Sequence, residues 1–475
     1  MARPDSFVIK DITGWIVTTS PGFLHPYWQR FRASPLWVRL ARGFFWSVFG
    51  AILSRAVGVI SSIIVARVLG ITFFGEFTVI QSTVGLFGTF AGLGLGITAT
   101  KYVAELRDSE PKRCGRVIGL VLMTAVVGGL LAGAALLAFA PWLAAHTLAA
   151  PQLAPLLRAG SALVFFSTLQ GVYSGALAGF EAFRRVAQVN WIGALVGAPL
   201  VVVGSLVAGL EGAVWGSVLQ MAVGCAIGQV LVSKESLKAG VRLSFALSWQ
   251  DGGVLWRFAL PAFLSSAIVS PANWIASTLL VNQPQGYEEV ALLNAASQWR
   301  NLVLFLPLMM ITVLTPVFSN LYREGQRVEF RKLLRRNLLI NFGVSLAIAV
   351  PIALLAPLVL GAYGTGFRKG IPVFTLTVLG ATLAAVSNLL SRSMQAIGRA
   401  WLDLTFSGLW GLVLVSTCLI LVAPYKAMGV AIANTVAAVA LAVWQWFLLR
   451  GIIARDSVSA LGTTAHGSVP SAESL

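Results

Sequence analysis

The sequence predicts an all-α polytopic membrane protein with about twelve transmembrane helices, and three observations carry that expectation. Of 475 residues, 57% are hydrophobic and only 11% are charged, against about 25% charged in an ordinary soluble domain. Apolar windows of the roughly 20 residues that cross a bilayer as a helix recur from one end of the chain to the other. Of the 34 Lys and Arg residues, the 28 outside those windows fall almost wholly on one side of them.

In chain order the spans are expected near residues 43–68, 76–98, 117–140, 156–179, 189–209, 211–232, 254–281, 290–318, 338–360, 371–395, 403–423 and 427–449. With the first span entered from the cytoplasm, 25 Lys and Arg lie in cytoplasmic segments and 3 in external ones, namely Arg368, Lys369 and Lys426. That bias is the positive-inside signature and predicts both termini in the cytoplasm. The formal net charge of +17 would suggest nucleic acid in a soluble chain. Here its placement assigns it to topology and to contact with membrane lipids, and no nucleic-acid partner is expected.

The spans divide into two sets of six. The expected organisation is a cytoplasmic or interfacial N-terminal segment at 1–42, a first half at 43–232, a cytoplasmic linker at 233–253, a second half at 254–449 and a cytoplasmic tail at 450–475. The N-terminal segment mixes Trp15, Phe23, Tyr27, Trp28, Phe31 and Trp37 with Arg30, Arg32, Arg39 and Arg42. That mixture suits either a segment lying in the interface or a loosely ordered tail. Lacking the pattern of a cleaved signal peptide, it predicts that the first span is retained. The Ser-, Ala- and Gly-rich C-terminus reads as disordered. A faint repeat links the halves: Leu53-Ser54 precedes Gly75 as Leu264-Ser265 precedes Gly286, at an offset of 211, and the stretch 174–180 resembles 391–397 at an offset of 217. Such a repeat would be parallel, about an axis along the membrane normal.

Several chemistries are disfavoured. Cys114, Cys225 and Cys418 are far apart, as are His25, His146 and His466, so neither a disulfide framework nor metal-ligand spacing is present, and no metal or other cofactor is expected. The phosphate-cradling GxxxxGK[ST] pattern is absent. Acids avoid the middles of spans: Glu76, Glu211, Glu288 and Glu289 sit at outer ends, Glu181 and Asp403 at inner ends. Cation binding and a buried carboxylate relay are therefore disfavoured.

Arginines do enter the spans, where each costs roughly 2.5–3.5 kcal/mol on insertion scales. Arg55 lies 12 residues into the first span, about 18 Å at 1.5 Å per residue, on a stripe with Ser47, Ala51, Gly58 and Ser62. Arg300 is similarly deep in the eighth span among Asn294, Ser297, Gln298 and Asn301. Each either binds an anion or is fixed by carbonyls or an acid on another helix. Arg392 shares a face with Asn388, Ser391 and Gln395 but is close enough to the boundary to snorkel. Arg158 and Arg67, near outer ends, suit either ligand contact or an interfacial role. Uncharged polar stripes occupy further spans: Thr78, Gln81 and Gly85; Ser167, Gln170 and Ser174; Ser266, Ser270, Asn273 and Ser277. Singly these permit close helix packing; together with arginines and amides they predict a hydrated cavity with groups suited to hydroxyls and phosphates.

Residues 52–81, with the pattern A-R-x-L-G-x-x-x-F-G at Ala66, Arg67, Leu69, Gly70, Phe74 and Gly75, followed by 92–105, resemble the opening of bacterial polysaccharide (O-antigen and exopolysaccharide) flippases. These belong to the multidrug/oligosaccharidyl-lipid/polysaccharide exporter superfamily. Residues 291–325, ending in Pro316 and a basic loop, and 391–403 are similar to that family's eighth span and tenth-span exit. The resemblance covers about 43–450. It implies two six-helix bundles around a central V-shaped cavity, and a transporter rather than an enzyme. The implied substrate is a polyprenyl-pyrophosphate-linked oligosaccharide moved from the inner to the outer leaflet of the cytoplasmic membrane by alternating access, with other polysaccharide-assembly proteins as possible partners. Arg55 and Arg300, with Arg392 and Arg158 as further candidates, would hold the pyrophosphate; Ser62, Gln81, Asn273, Asn294, Gln298 and Asn388 would line the cavity. A lipid-linked peptidoglycan precursor flippase and a multidrug exporter of the same superfamily are the nearest alternatives, although the exporter's cationic substrates want buried acids. A polysaccharide polymerase or ligase would be expected to carry a large external loop, which the chain lacks.

Overall fold

A computed structural model describes residues 35–245, 260–398 and 402–465. The expected interfacial segment up to residue 34, part of the linker, the first residues of the seventh span, Arg399 and the last ten residues lie outside the described residues. The described chain is helical: α1 Pro35–Gly92, α2 Leu95–Leu106, α3 Pro111–Trp142, α4 Ala154–Gly179, α5 Phe183–Lys238, α6 Leu260–Val281, α7 Gly286–Arg323, α8 Arg327–Leu354, α9 Ala356–Tyr363, α10 Ile371–Ala396 and α11 Leu402–Ala465. Nine helical stretches among the described residues are long and apolar enough to cross a membrane. Three are double. α1 has 58 residues, about 87 Å if straight, nearly three times the hydrocarbon core. Non-helical backbone at Gly70 in α1, at Ala208 and Gly209 in α5 and at Lys426 in α11 breaks each into two arms, and the spans then number twelve.

The turns between spans share one device, a residue with positive φ. At one end of the molecule these are Gly70, Ala149, Gly209, Gln285, Gly364 and Lys426; at the other, Gly94, Glu181, Gly240, Gly325 and Gly398. The repeat suggested by the sequence is visible here. Gly209 (φ 56°, ψ −132°) and Lys426 (φ 48°, ψ −127°) have nearly the same conformation and stand 217 positions apart. The arms they join close alike: a Cβ on Gly212 would lie 1.9 Å from the Gly204 carbonyl oxygen, and one on Gly429 would lie 2.3 Å from that of Leu421. These pairs also correspond at the offset of 217.

Packing is mainly within each half. α1 lies on α5 and α4, α3 on α4, α7 on α10, and α11 on α10 and α6, while α1 against α7 and α6 forms the seam between halves. The result is two six-helix bundles around central space. Large apolar side chains face outward, with Leu131 67%, Val207 81% and Ile420 72% exposed. An outer surface of this kind is stable in lipid and a liability in water.

The seam is closed at the Gly70 end. Arg67 Nε donates to the Ala362 carbonyl at 2.5 Å, at the C-terminal end of α9, where a cation meets the negative end of the helix dipole. Tyr287 donates its hydroxyl proton to the Leu148 carbonyl at 2.8 Å, and Asn282 Nδ2 donates to that of Thr147 at 2.9 Å. Phe74 meets Phe367 edge-on. A Cβ on Gly75 would stand 1.9 Å from the Tyr287 carbonyl oxygen, so only glycine lets the second span approach the eighth this closely. The last helix runs to Ala465, past the point where a disordered tail is expected. A nucleated helix extends at little cost, and no proline follows until Pro470.

Candidate functional site

Three adjoining cavities occupy the central space. The first, of about 440 Å³, belongs mostly to the N-terminal bundle and is walled by both arms of α1, both arms of α5 and Gln170 of α4, with Asn294 and Gln298 of α7 closing it. The second, of about 370 Å³, lies between Thr78, Gln81 and Ser82 of α1 and polar groups of the C-terminal bundle, among them Asn273, Ser277, Arg300 and Asn434. The third, of about 750 Å³, extends along α10 and α11 past Asn388, Arg392, Gln395 and Asp403. Thr78, Gln81 and Asn294 line the first and second; Arg300, Ala384 and Ala438 line the second and third. Arg300 is thus the charged group at the junction of the C-terminal spaces.

The four arginines singled out by sequence fall into different settings. Arg300 is part-buried and has no hydrogen-bond or ion-pair partner among the described residues. Arg392 is exposed to the third cavity, its Nη1 donating to Gln395 Oε1 at 2.9 Å. Arg55 lines none of the three. Its Nη1 donates across the seam to the Asn301 carbonyl at 2.8 Å, and the guanidinium lies 4.7 Å from the centre of the Phe305 ring. Arg158 is exposed near the start of α4 and also lies outside the cavities. The structure therefore brings Arg300 and Arg392 together along one space and leaves Arg55 and Arg158 apart from it. Arg67, Gly70 and Gly75 act at the closed end of the seam, as described above.

All six expected lining residues face the cavities. Gln298 Nε2 donates to Ser62 Oγ at 2.5 Å and to Asn294 Oδ1 at 3.1 Å, tying α7 to the first arm of α1. Gln81 Nε2 donates to Ser217 Oγ at 3.1 Å. Asn273 Nδ2 is turned back to the Val269 carbonyl at 2.9 Å, and Asn388 has no partner among the described residues. The stripe of α6 divides: Ser266 and Asn273 face cavities, whereas Ser270 meets Thr89 across the seam at 2.8 Å. Asn190, Gln220, Asn434 and Thr377 also line the cavities and are not evident from sequence. Each stands in a span rich in Ala, Gly and Val; the usable signal is the small residues spaced about one turn from it, such as Ala194 and Ala198 after Asn190.

Donors outnumber anionic groups in this space. Hydroxyls and carboxamides offer hydrogen bonds to neutral polar ligands, and the planar guanidinium of Arg300 offers a fork suited to phosphate oxygens. Among the described residues no cluster of His, Cys, Asp or Glu is arranged to hold a metal ion.

Comparison with known proteins agrees with this architecture. A family described as polysaccharide biosynthesis protein matches residues 40–322, more than half of the chain. The EPS I polysaccharide export inner membrane protein EpsE of Ralstonia solanacearum is 23% identical over 413 residues, covering 84% of this chain and 91% of that one. Among solved structures, a multidrug-resistance transporter of the MATE family in an inward-facing conformation superposes with a TM-score of 0.73 at 19% identity, covering 85% of this chain and 95% of that one. A transporter of the same superfamily from Pyrococcus furiosus, described as having a binding pocket of reversed polarity, superposes at 0.66 with 20% identity, covering 88% and 96%. The chain thus belongs to the polysaccharide biosynthesis protein family and is a multi-pass membrane protein with the fold of the transporters on which it superposes.

Proposed function

We propose that the protein carries a polyprenyl-pyrophosphate-linked oligosaccharide from the inner to the outer leaflet of the bacterial inner membrane by alternating access, for surface polysaccharide assembly. The observation that carries this is Arg300, a guanidinium in the middle of a span at the junction of two cavities, without a hydrogen-bond or ion-pair partner among the described residues. An uncompensated cation at that depth is costly, and a diphosphate removes the cost with bidentate, charge-assisted hydrogen bonds. Arg392, with Gln395 and Asn388, forms the approach to it along the third cavity. The name of the Ralstonia relative, a polysaccharide export protein of the inner membrane, supports the same cargo class and location.

The positive-inside bias orients both termini to the cytoplasm. On that orientation the Gly70 end of the seam is external and closed, and the third cavity faces inward, as a carrier awaiting cargo from the cytoplasmic leaflet would be arranged. Arg55 then serves as a latch: its bond to the Asn301 carbonyl must exchange when the bundles move. Deleting the gene is expected to accumulate cytoplasm-facing lipid-linked oligosaccharide and to abolish surface glycan, with rescue by wild type and not by Arg300→Ala. Unchanged lipid and glycan pools after deletion would contradict the proposal.

A further inference from the structure

The first cavity has no charged residue in its lining, yet three different spans each present a carboxamide to it: Gln170 from α4, Asn190 from the first arm of α5 and Gln220 from the second. None of the three has a hydrogen-bond partner among the described residues. The amides opposite them, Gln81 and Gln298, are already tied to Ser217, Ser62 and Asn294. Two of the free amides rest against bare backbone. A Cβ at Gly197 would stand 2.2 Å from Gln220 Cγ, and one at Gly224 would stand 3.1 Å from Gln170 Nε2. These glycines leave room that an alanine would take from the side chains.

A carboxamide offers two donors and an acceptor with two lone pairs, and these three, none of them buried, are open to whatever enters the cavity. Three of them around one cavity call for a ligand that carries donors and acceptors side by side and no net charge. Vicinal hydroxyls and an acetamido group meet that need, and the part-exposed Phe77 in the same wall gives the apolar face of a sugar ring a surface to lie on. A sugar carboxylate would find donors here but no cation to balance it, and desolvating it would be costly.

We propose that this cavity is the glycan-specificity site, holding an uncharged sugar of the lipid-linked cargo through Gln170, Asn190 and Gln220 while Arg300 holds the phosphates next door. The inference rests on the function proposed above. Thr78, Gln81 and Asn294, which line both this cavity and the one containing Arg300, form the passage that one headgroup would bridge.

The test uses the full-length protein in lipid nanodiscs and three probes: a short-chain polyprenyl pyrophosphate without sugar, the same lipid carrying one N-acetylhexosamine, and the same lipid carrying one hexuronic acid. Wild type is expected to bind the N-acetylhexosamine lipid about tenfold more tightly than the bare lipid, as two or three net hydrogen bonds would give, with no such gain for the hexuronic acid. The double variant Gln170→Ala/Gln220→Ala is expected to erase that ratio. The isosteric pair Gln170→Glu/Gln220→Glu, which preserves volume and packing, is expected to erase it as well. A ratio that survives either double variant, or an acidic sugar bound as tightly as the neutral one, would overturn the proposal. Arg300→Ala should weaken all three lipids together. If it weakens none while the sugar ratio persists, the phosphate assignment fails and the glycan site stands.

Discussion

The N-terminal and C-terminal bundles are built alike and furnished differently. Their hairpins at Gly209 (φ 56°, ψ −132°) and Lys426 (φ 48°, ψ −127°) nearly coincide, and the arms on either side touch at corresponding positions. Yet the cavity of the first bundle is lined by hydroxyls and carboxamides without a charge, whereas the spaces of the second contain Arg300, Arg392 and Asp403. A repeated scaffold can therefore be held by turn geometry and glycine contacts while the inward faces diverge. The division suits a cargo with a neutral glycan at one end and a charged diphosphate at the other.

The sharpest way to break this comparison is to remove charge from the C-terminal side. Arg300→Ala is expected to lower transport about a hundredfold, because truncating one partner of a desolvated charge pair costs roughly 2–5 kcal/mol; vesicle-based translocation of the lipid reads it. Arg392→Ala should cost less, about tenfold, since that side chain is exposed and already donates a hydrogen bond to Gln395. Equal losses at the two positions would mean that the third cavity holds the phosphates as firmly as the junction does.

A second comparison concerns the closed end of the seam, where the bundles meet. Gly75→Val places atoms where the Tyr287 carbonyl stands and is expected to destabilise the protein by about 1–3 kcal/mol through overpacking, seen as a lower melting temperature in detergent. The smallest effect compares the equivalent hairpins. Lys426 holds a backbone conformation that glycine adopts freely, so Lys426→Gly should stabilise by up to about 1 kcal/mol. Gly209→Lys should destabilise by a similar amount. If both changes were neutral, the turns would tolerate side chains equally and their likeness would carry no energetic meaning.

Much of the fold is legible in the sequence, because lipid demands long apolar windows and tolerates charge only at their ends. The twelve windows emerge as helices even where three pairs run together without a loop, and glycine marks two of those three breaks. The site is legible in part. All six expected lining residues face the cavities, since stripes on one helical face show without knowledge of the neighbours. Arg55 and Arg300 look equivalent in sequence, each deep in a span among small or polar residues. What separates them is the Asn301 carbonyl, 246 residues from Arg55 along the chain, and such long-range pairing has no local signature. Gln220 and Asn190 escaped for a related reason. An amide in a mainly apolar span says nothing about its facing until helix rotation is known, and Gly197 gains its meaning only when Gln220 is seen lying across it.

The most direct measurement of the central claim is translocation of a synthetic polyprenyl-pyrophosphate-linked sugar in proteoliposomes containing the purified full-length protein, wild type against Arg300→Ala and Arg300→Lys. The account predicts rapid flipping by wild type, near-complete loss in Arg300→Ala and partial activity in Arg300→Lys, which keeps the charge but not the planar fork. Wild-type rates in Arg300→Ala would contradict it.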